Sequence, residues 1–163
     1  MTHIDYTLYL VTDRSVMSAK SLEQAVEQAI QGGCTVVQLR EKYASSREFF
    51  ETAQRVKQIT DSYHIPLIIN DRTDICLAVN AAGIHIGQQD LPAKIVRSMV
   101  GPDKIIGVSA ATLSEAIQAE QDGADYLGVG AMFATSTKTN TRPVTIERLT
   151  QIKQAVQIPV VAI

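Results

Sequence analysis

The chain has 163 residues, 45% hydrophobic and 20% charged, with a formal net charge of −2. That length suits one domain burying roughly 68–70% of the surface its unfolded form exposes, and the charge leaves no global basic field for nucleic acid, so any anion site has to be local. Nowhere do about 18 apolar residues run together, MTHIDYTLYLV lacks the parts of an export signal, and Cys34 and Cys76 are too far apart for a CxxC pair. The expectation is a cytoplasmic protein with two buried free thiols and neither a membrane nor a nucleic-acid partner; oligomeric state is left open.

Leu8 to Thr12 is the first strand and stops at Asp13 and Arg14. Ser21 opens an amphipathic helix, with Gln24 placed as in a capping box and Gly32 and Gly33 as the stop. Leu22, Ala25, Val26, Ala29 and Ile30 keep the helical spacing. Thr35 to Arg40 is the second strand. Ser45, paired with Glu48, starts a long helix whose apolar face is Phe49, Phe50, Ala53, Val56 and Ile59. PLIIN at 66–70 is strand three, a short helix covers Thr73 to Val79, and AAGIHIG is strand four. The next helix carries Pro92 in its first turn. Lys104 to Val108 is strand five, and Thr112 with Glu115 caps the helix that ends at Asp122 and Gly123. Tyr126 to Phe133 is strand six, Val144 to Val156 the sixth helix, and IPVVAI begins a seventh strand.

Strands rich in Val, Ile and Leu that alternate with helices indicate an α/β protein with a parallel sheet covered by helices. Short right-handed βα units leave an open doubly wound sheet or a closed (β/α)8 TIM barrel. GGCTVVQLR, AAGIHIG and DGADYLGVG repeat one pattern, a small-residue helix stop followed at once by a strand, which favours the barrel. The expected organisation is a single barrel domain over 1–163, cut short within strand seven, because a complete barrel needs the rest of that strand and an eighth unit.

In either fold ligands bind beyond the carboxyl ends of the strands. Polar residues gather there. PLII runs into Asn70, Asp71 and Arg72, and IHIG into Gln88, Gln89 and Asp90. Neighbouring strands lie about 4.8 Å apart, so Asp71 and Asp90 can share one hard cation; Mg²⁺ suits them, because it takes few protein oxygens and completes its octahedron with water and substrate phosphate. Two plainer roles stay open for Asp71, a pair with Arg72 or a cap on the next helix. Arg40, Lys42 and Lys138 bring the opposite charge to strand two and loops two and six, where they can surround an anion held by the cation. Thr135, Ser136 and Thr137 add hydroxyl and backbone donors beside Lys138. That loop is not a Walker A motif, because Thr137 stands where Gly is needed, and Gly128-Val129-Gly130 is not a dinucleotide fingerprint, since strand six is expected to continue through it. His85, between Ile84 and Ile86, is expected to be a hydrogen-bonded interior residue. No Ser/His/Asp or Cys/His arrangement stands out, which disfavours covalent catalysis.

QLREK at 38–42, IINDR at 68–72, GIHIGQQDLP at 83–92, GVS at 107–109 and LGVGAMFATSTK at 127–138 together resemble the thiamine phosphate synthase (thiamine-phosphate pyrophosphorylase) family, in the family's order and over essentially the whole chain. The resemblance implies a (β/α)8 barrel that joins hydroxymethylpyrimidine diphosphate to a thiazole phosphate, giving thiamine phosphate and pyrophosphate. It implies substrate binding by Gln38, Leu39, Arg40, Glu41, Lys42, Asn70, Ser109, Thr135, Ser136, Thr137 and Lys138, with Lys138, Arg40 and Lys42 catalytic and Asp71 and Asp90 holding Mg²⁺ as the cofactor. It also implies a Gly-rich turn after VVAI and a further phosphate loop, neither of which follows in these 163 residues, so the activity of this length of chain is left open. Two other readings remain: a non-catalytic protein that binds the pyrimidine diphosphate, and a thiazole tautomerase of the same fold. The second is disfavoured by Ala131, where such relatives carry a His on strand six.

Overall fold

The computed structural model describes residues 4–133 and 142–163. Its elements follow the expected alternation: β1 Tyr9–Val11, α1 Leu22–Gln31, β2 Val36–Leu39, α2 Ser46–Ser62, β3 Leu67–Asn70, α3 Thr73–Ala78, β4 Gly83–Ile86, α4 Ala93–Val100, β5 Ile105–Ala110, α5 Leu113–Gln121, β6 Tyr126–Val129, α6 Ile146–Ala155 and β7 Val160–Ala162. A 3-10 turn at Arg14–Val16, which periodicity did not reveal, follows β1. The chain divides into two compact units, Met1–Ile84 and His85–Ile163.

In the first unit β2 pairs parallel with both β1 and β3, Tyr9 opposite Val36 and Gln38 opposite Ile68. Since successive side chains alternate, Tyr9, Val36, Gln38, Ile68 and Asn70 share one face, and Leu10, Val37, Leu39, Leu67 and Ile69 the other. All eight residues of β2 and β3 are buried, as expected of parallel strands covered on both sides. The helices start where local chemistry tells them to. Ser21 accepts from the Gln24 amide at 3.1 Å, and Ser45 and Glu48 form a complete capping box. On α2, Phe49, Ala53 and Val56 are buried as anticipated, whereas Thr52 and Thr60 take the other buried positions and Phe50 and Ile59 lie at its margin.

In the second unit β5, β6 and β7 run parallel, with Gly107 opposite Tyr126, Ser109 opposite Gly128 and Gly128 opposite Val161. The ends of β5 and β6 differ from expectation. β5 extends through Ser109 to Ala110, because its ladder with β6 continues to the Ala110–Val129 pair; Ser109 is thus a strand residue. β6 ends at Val129 instead of Phe133. Beyond it the Met132 amide donates to the Ile163 carbonyl at 2.7 Å and the Ala131 amide to the Arg142 carbonyl at 3.1 Å, so these backbone groups find partners outside a regular ladder. Pro92 is the residue before α4 and not part of its first turn; its carbonyl accepts from the Ile95 and Val96 amides.

The structure bears out the α/β class and the parallel strands; among the described residues there are seven strands, and a complete eight-stranded barrel is not among them. Cys34 and Cys76 are buried and free, their thiols directed at the carbonyls of Val36 (3.0 Å) and Gly83 (3.2 Å). No helix of the described residues is long and apolar enough to cross a membrane.

Candidate active site

In the first unit the carboxyl ends of three paired strands bring together most of the early polar residues. Gln38 is 4% exposed and donates through Nε2 to the Tyr9 hydroxyl at 2.9 Å, on the face the two share. The side chain of Leu39 is fully buried on the opposite face. Arg40 leaves the strand with its amide bonded to Thr12 Oγ1 at 3.0 Å and its Nη1 3.3 Å from Asp13 Oδ2. The Glu41 carboxylate is taken up by Arg14, whose Nε lies 2.8 and 3.0 Å from its two oxygens.

Lys42 and Asp71 form an ion pair. They come from the loops after β2 and β3, and parallel pairing sets those two ends side by side. Neither of the plainer roles for Asp71 is observed. The residue before α3 is Arg72, which provides no side-chain cap, and Arg72 instead clasps Asp74, Nε to Oδ1 at 2.8 Å, and reaches Ser46 Oγ at 2.9 Å. Arg72 thus ties the start of α3 to the start of α2. Asp71 itself sits at φ 62°, the left-handed region that costs an ordinary L-residue roughly 1–2 kcal/mol and that Asp and Asn tolerate best. Beside it Asn70 is 9% exposed. Its carbonyl receives the Arg72 amide at 2.8 Å. Among the described residues its side-chain amide has no hydrogen-bond partner, and no buried side-chain nitrogen or oxygen there lacks one, so the amide meets solvent at the end of β3.

In the second unit Asp90 closes the turn after β4, Oδ2 accepting from the Gly87 amide at 2.7 Å. Gln88 Nε2 donates to the Ser109 carbonyl at 2.8 Å. His85 is buried and bonded at both ring nitrogens, Nδ1 to the Tyr126 hydroxyl and Nε2 to Ser109 Oγ, each at 2.9 Å; it is the interior residue the sequence suggested. Thr135, Ser136, Thr137 and Lys138 lie outside the described residues. Among the described residues no group of three or more His, Cys, Asp or Glu side chains is arranged to hold a metal.

Three participants escaped the sequence reading: Tyr9, Asp13 and Tyr126. For Asp13 a signal existed, since it ends β1 as Asp71 ends β3. Its carboxyl is held below the usual range by the Ser15 hydroxyl and amide, opposed by desolvation and helped by the Arg40 charge. A lowered carboxyl contributes stability that is fully present above the unfolded value, 3.8, and is lost as pH falls through the lower folded one. Between pH 5 and strongly acid solution the melting temperature of Asp13→Asn should therefore fall less steeply than that of wild type. Parallel curves would show that Asp13 contributes nothing to the acid transition.

Comparison with known proteins supplies the frame for these residues. A family model described as "Thiamine monophosphate synthase" matches residues 8–163. The thiamine-phosphate synthase of Ruminiclostridium cellulolyticum is 64% identical over 98% of this chain and 76% of its own length. That of Clostridium tetani is 60% identical over 99% of this chain and 77% of its own, so the chain spans about three quarters of these relatives. Among solved structures, the thiamine phosphate pyrophosphorylase of Pyrococcus furiosus superposes with a TM-score of 0.86 at 40% identity, covering 96% of this chain and 73% of that one. FabK from Thermotoga maritima, at 16% identity and a TM-score of 0.69, shares the fold alone. A family model over residues 8–163 and identities of 60–64% over nearly the whole chain place it in the thiamine monophosphate synthase family, as a transferase of thiamine biosynthesis.

Proposed function

We propose that this thiamine-phosphate synthase joins hydroxymethylpyrimidine diphosphate to a thiazole phosphate on a (β/α)8 barrel, with the diphosphate held by Arg40, Lys42 and Lys138 and the pyrimidine oriented by Gln38, Asn70 and Ser109. The observation that carries the reading is the Lys42–Asp71 pair beside the solvent-facing Asn70 amide: a cation and a carboxylate that neutralise each other at a strand end are the two charges a metal diphosphate would separate. The pair is partly exposed, with 41% of the Lys42 and 20% of the Asp71 side chain accessible. Such pairs are worth about 0–1 kcal/mol, so opening it costs little.

The donors fit a hard cation, since Asp71 and Asp90 offer carboxylate oxygens; when bound, Mg²⁺ supplies positive charge to the phosphate oxygens. The chain's own groups do the rest. Arg40, Lys42 and Lys138 stabilise the charge that develops as the bond from the pyrimidine methylene to the diphosphate oxygen breaks and its electron pair leaves with pyrophosphate. Gln38 and Asn70 hold the ring so that the methylene carbon faces the thiazole nitrogen, which closes the new C–N bond. Thr135, Ser136 and Thr137 are assigned to the thiazole substrate, and the reaction needs water kept out, because water would otherwise capture the same carbon. Leu39 and Glu41 belong to the binding segment by position, Leu39 as packing and Glu41 as the partner of Arg14.

The test is product formation by the full-length protein with both substrates and Mg²⁺, expected to give one pyrophosphate per thiamine phosphate. Lys138→Ala should lower kcat by about 100-fold or more and KM for the pyrimidine diphosphate far less, since its charge is needed most in the transition state. Mg²⁺-dependent binding of the pyrimidine diphosphate without product would favour the non-catalytic alternative.

A further inference from the structure

The second unit contains a polar line of side chains inside its sheet. On one face of its strands stand Gly107 and Ser109 of β5, Tyr126 and Gly128 of β6, and beside them His85 of β4. Glycine inside a strand weakens it and marks a place where something else approaches closely. Here both approaching groups are identifiable. A Cβ on Gly107 would stand 2.1 Å from Tyr126 Cζ, and one on Gly128 would stand 2.9 Å from His85 Cε1. Two strand positions thus forgo side chains so that a phenol and an imidazole can lie against each other, ring centres 5.5 Å apart.

The hydrogen bonds run in one line, Tyr126 Oη to His85 Nδ1 and His85 Nε2 to Ser109 Oγ. Tyr126 is fully buried and His85 nearly so, while Ser109 is half-buried. The line therefore starts in the interior and ends at the one member that is open to a ligand. Ser109 is held from a second side, because Gln88 binds its carbonyl. A serine hydroxyl normally rotates to suit its surroundings; this one has its backbone pinned and its oxygen bound to a ring that is itself bound.

We infer that His85 is a positioning residue that acts through Ser109, with Tyr126 fixing the imidazole. The inference rests on the proposed contact of Ser109 with the pyrimidine diphosphate and deepens it: the pyrimidine ring is oriented by a hydroxyl whose direction is set from the interior. His85 touches neither substrate in this account. Its two bonds leave the ring in one orientation, and the hydroxyl keeps its remaining hydrogen-bonding capacity for a polar edge of the heterocycle.

The experiment is a double-mutant cycle in the full-length protein, with kcat and KM measured for the pyrimidine diphosphate. Tyr126→Phe keeps the ring opposite Gly107 and removes only the hydroxyl, so it serves if His85→Gln disturbs folding. Either substitution should lower kcat by about 10-fold, as loss of an outer hydrogen-bond partner does elsewhere, and change KM less. In a Ser109→Ala background neither should cost more than a further twofold, because the hydroxyl they orient is gone. Losses that multiply in full would overturn the coupling while leaving the substrate role of Ser109 standing. A Ser109→Ala enzyme as active as wild type would remove that role and this inference together.

Discussion

Asp71→Asn should lower the turnover of the full-length enzyme by about 100-fold or more at saturating pyrimidine diphosphate, and shift the Mg²⁺ dependence of what remains to higher concentration. Asn is the informative replacement. Asp71 stands at φ 62°, a conformation that Asn tolerates and that strains Ala by roughly 1–2 kcal/mol, so Asn removes the charge without reshaping the turn after β3. Stability should change by less than about 1 kcal/mol, the upper range for an exposed ion pair such as Lys42–Asp71. Arg72→Ala is the control, since Arg72 clasps Asp74 and Ser46 and its loss should leave kcat within about twofold while costing a few tenths of a kcal/mol. An unchanged turnover and Mg²⁺ dependence in Asp71→Asn would end its assignment as a metal residue.

The largest effect on folding is expected from Gly107→Ala. The new methyl would meet the Tyr126 ring at 2.1 to 2.4 Å, inside any real contact, and Tyr126 is fully buried with its hydroxyl committed to His85. Overpacking of this kind costs about 1–3 kcal/mol or more, which for a chain of this size lowers Tm by roughly 2–12 °C. Gly128→Ala should cost less, because its Cβ meets the edge of the His85 ring at 2.9 Å. Combining Gly107→Ala with Tyr126→Leu should recover part of the loss, whereas Tyr126→Phe should recover none, since the clash is with the ring. Calorimetry of the four proteins decides it; a Gly107→Ala variant as stable as wild type would show that the niche is loose.

The helix starts were legible because the chemistry is local. Ser21, Ser45 and Thr112 bond amides three residues on, so a window of four residues contains the whole cause. The buried strands were equally plain as apolar runs. Strand ends were not. Ser109 looked like the first residue of a loop, yet the ladder from Gly107–Tyr126 to Ala110–Val129 extends β5 past it. The polarity of one side chain says less about where a strand stops than the neighbouring strand does.

The site divides the same way. That polar groups gather at the carboxyl ends of the strands followed from the repeat, and the motifs supplied the candidates among them: Gln38, Arg40, Lys42, Asn70, Asp71, Asp90 and Ser109. Their partners were not readable. Asp71 was set against Arg72, its neighbour in sequence, but meets Lys42, 29 residues away. Arg40, by sequence a candidate anion ligand, sits beside Asp13, 27 residues away. His85 could be called interior, but not the centre of a line from Tyr126 to Ser109.

By itself, then, the sequence determined the βα alternation, the helix caps and, through its motifs, the family and the residues proposed for the site. Those properties depend on side chains within a few positions of one another or on patterns that repeat along the chain. Tertiary structure decided who faces whom. Parallel neighbours are separated by a whole crossover helix, so their register is set by how that helix packs, and a shift of one residue would turn Gln38, Asn70 or Ser109 to the opposite face. The pairing of Lys42 with Asp71 and of His85 with Ser109 exists only once that register is in place.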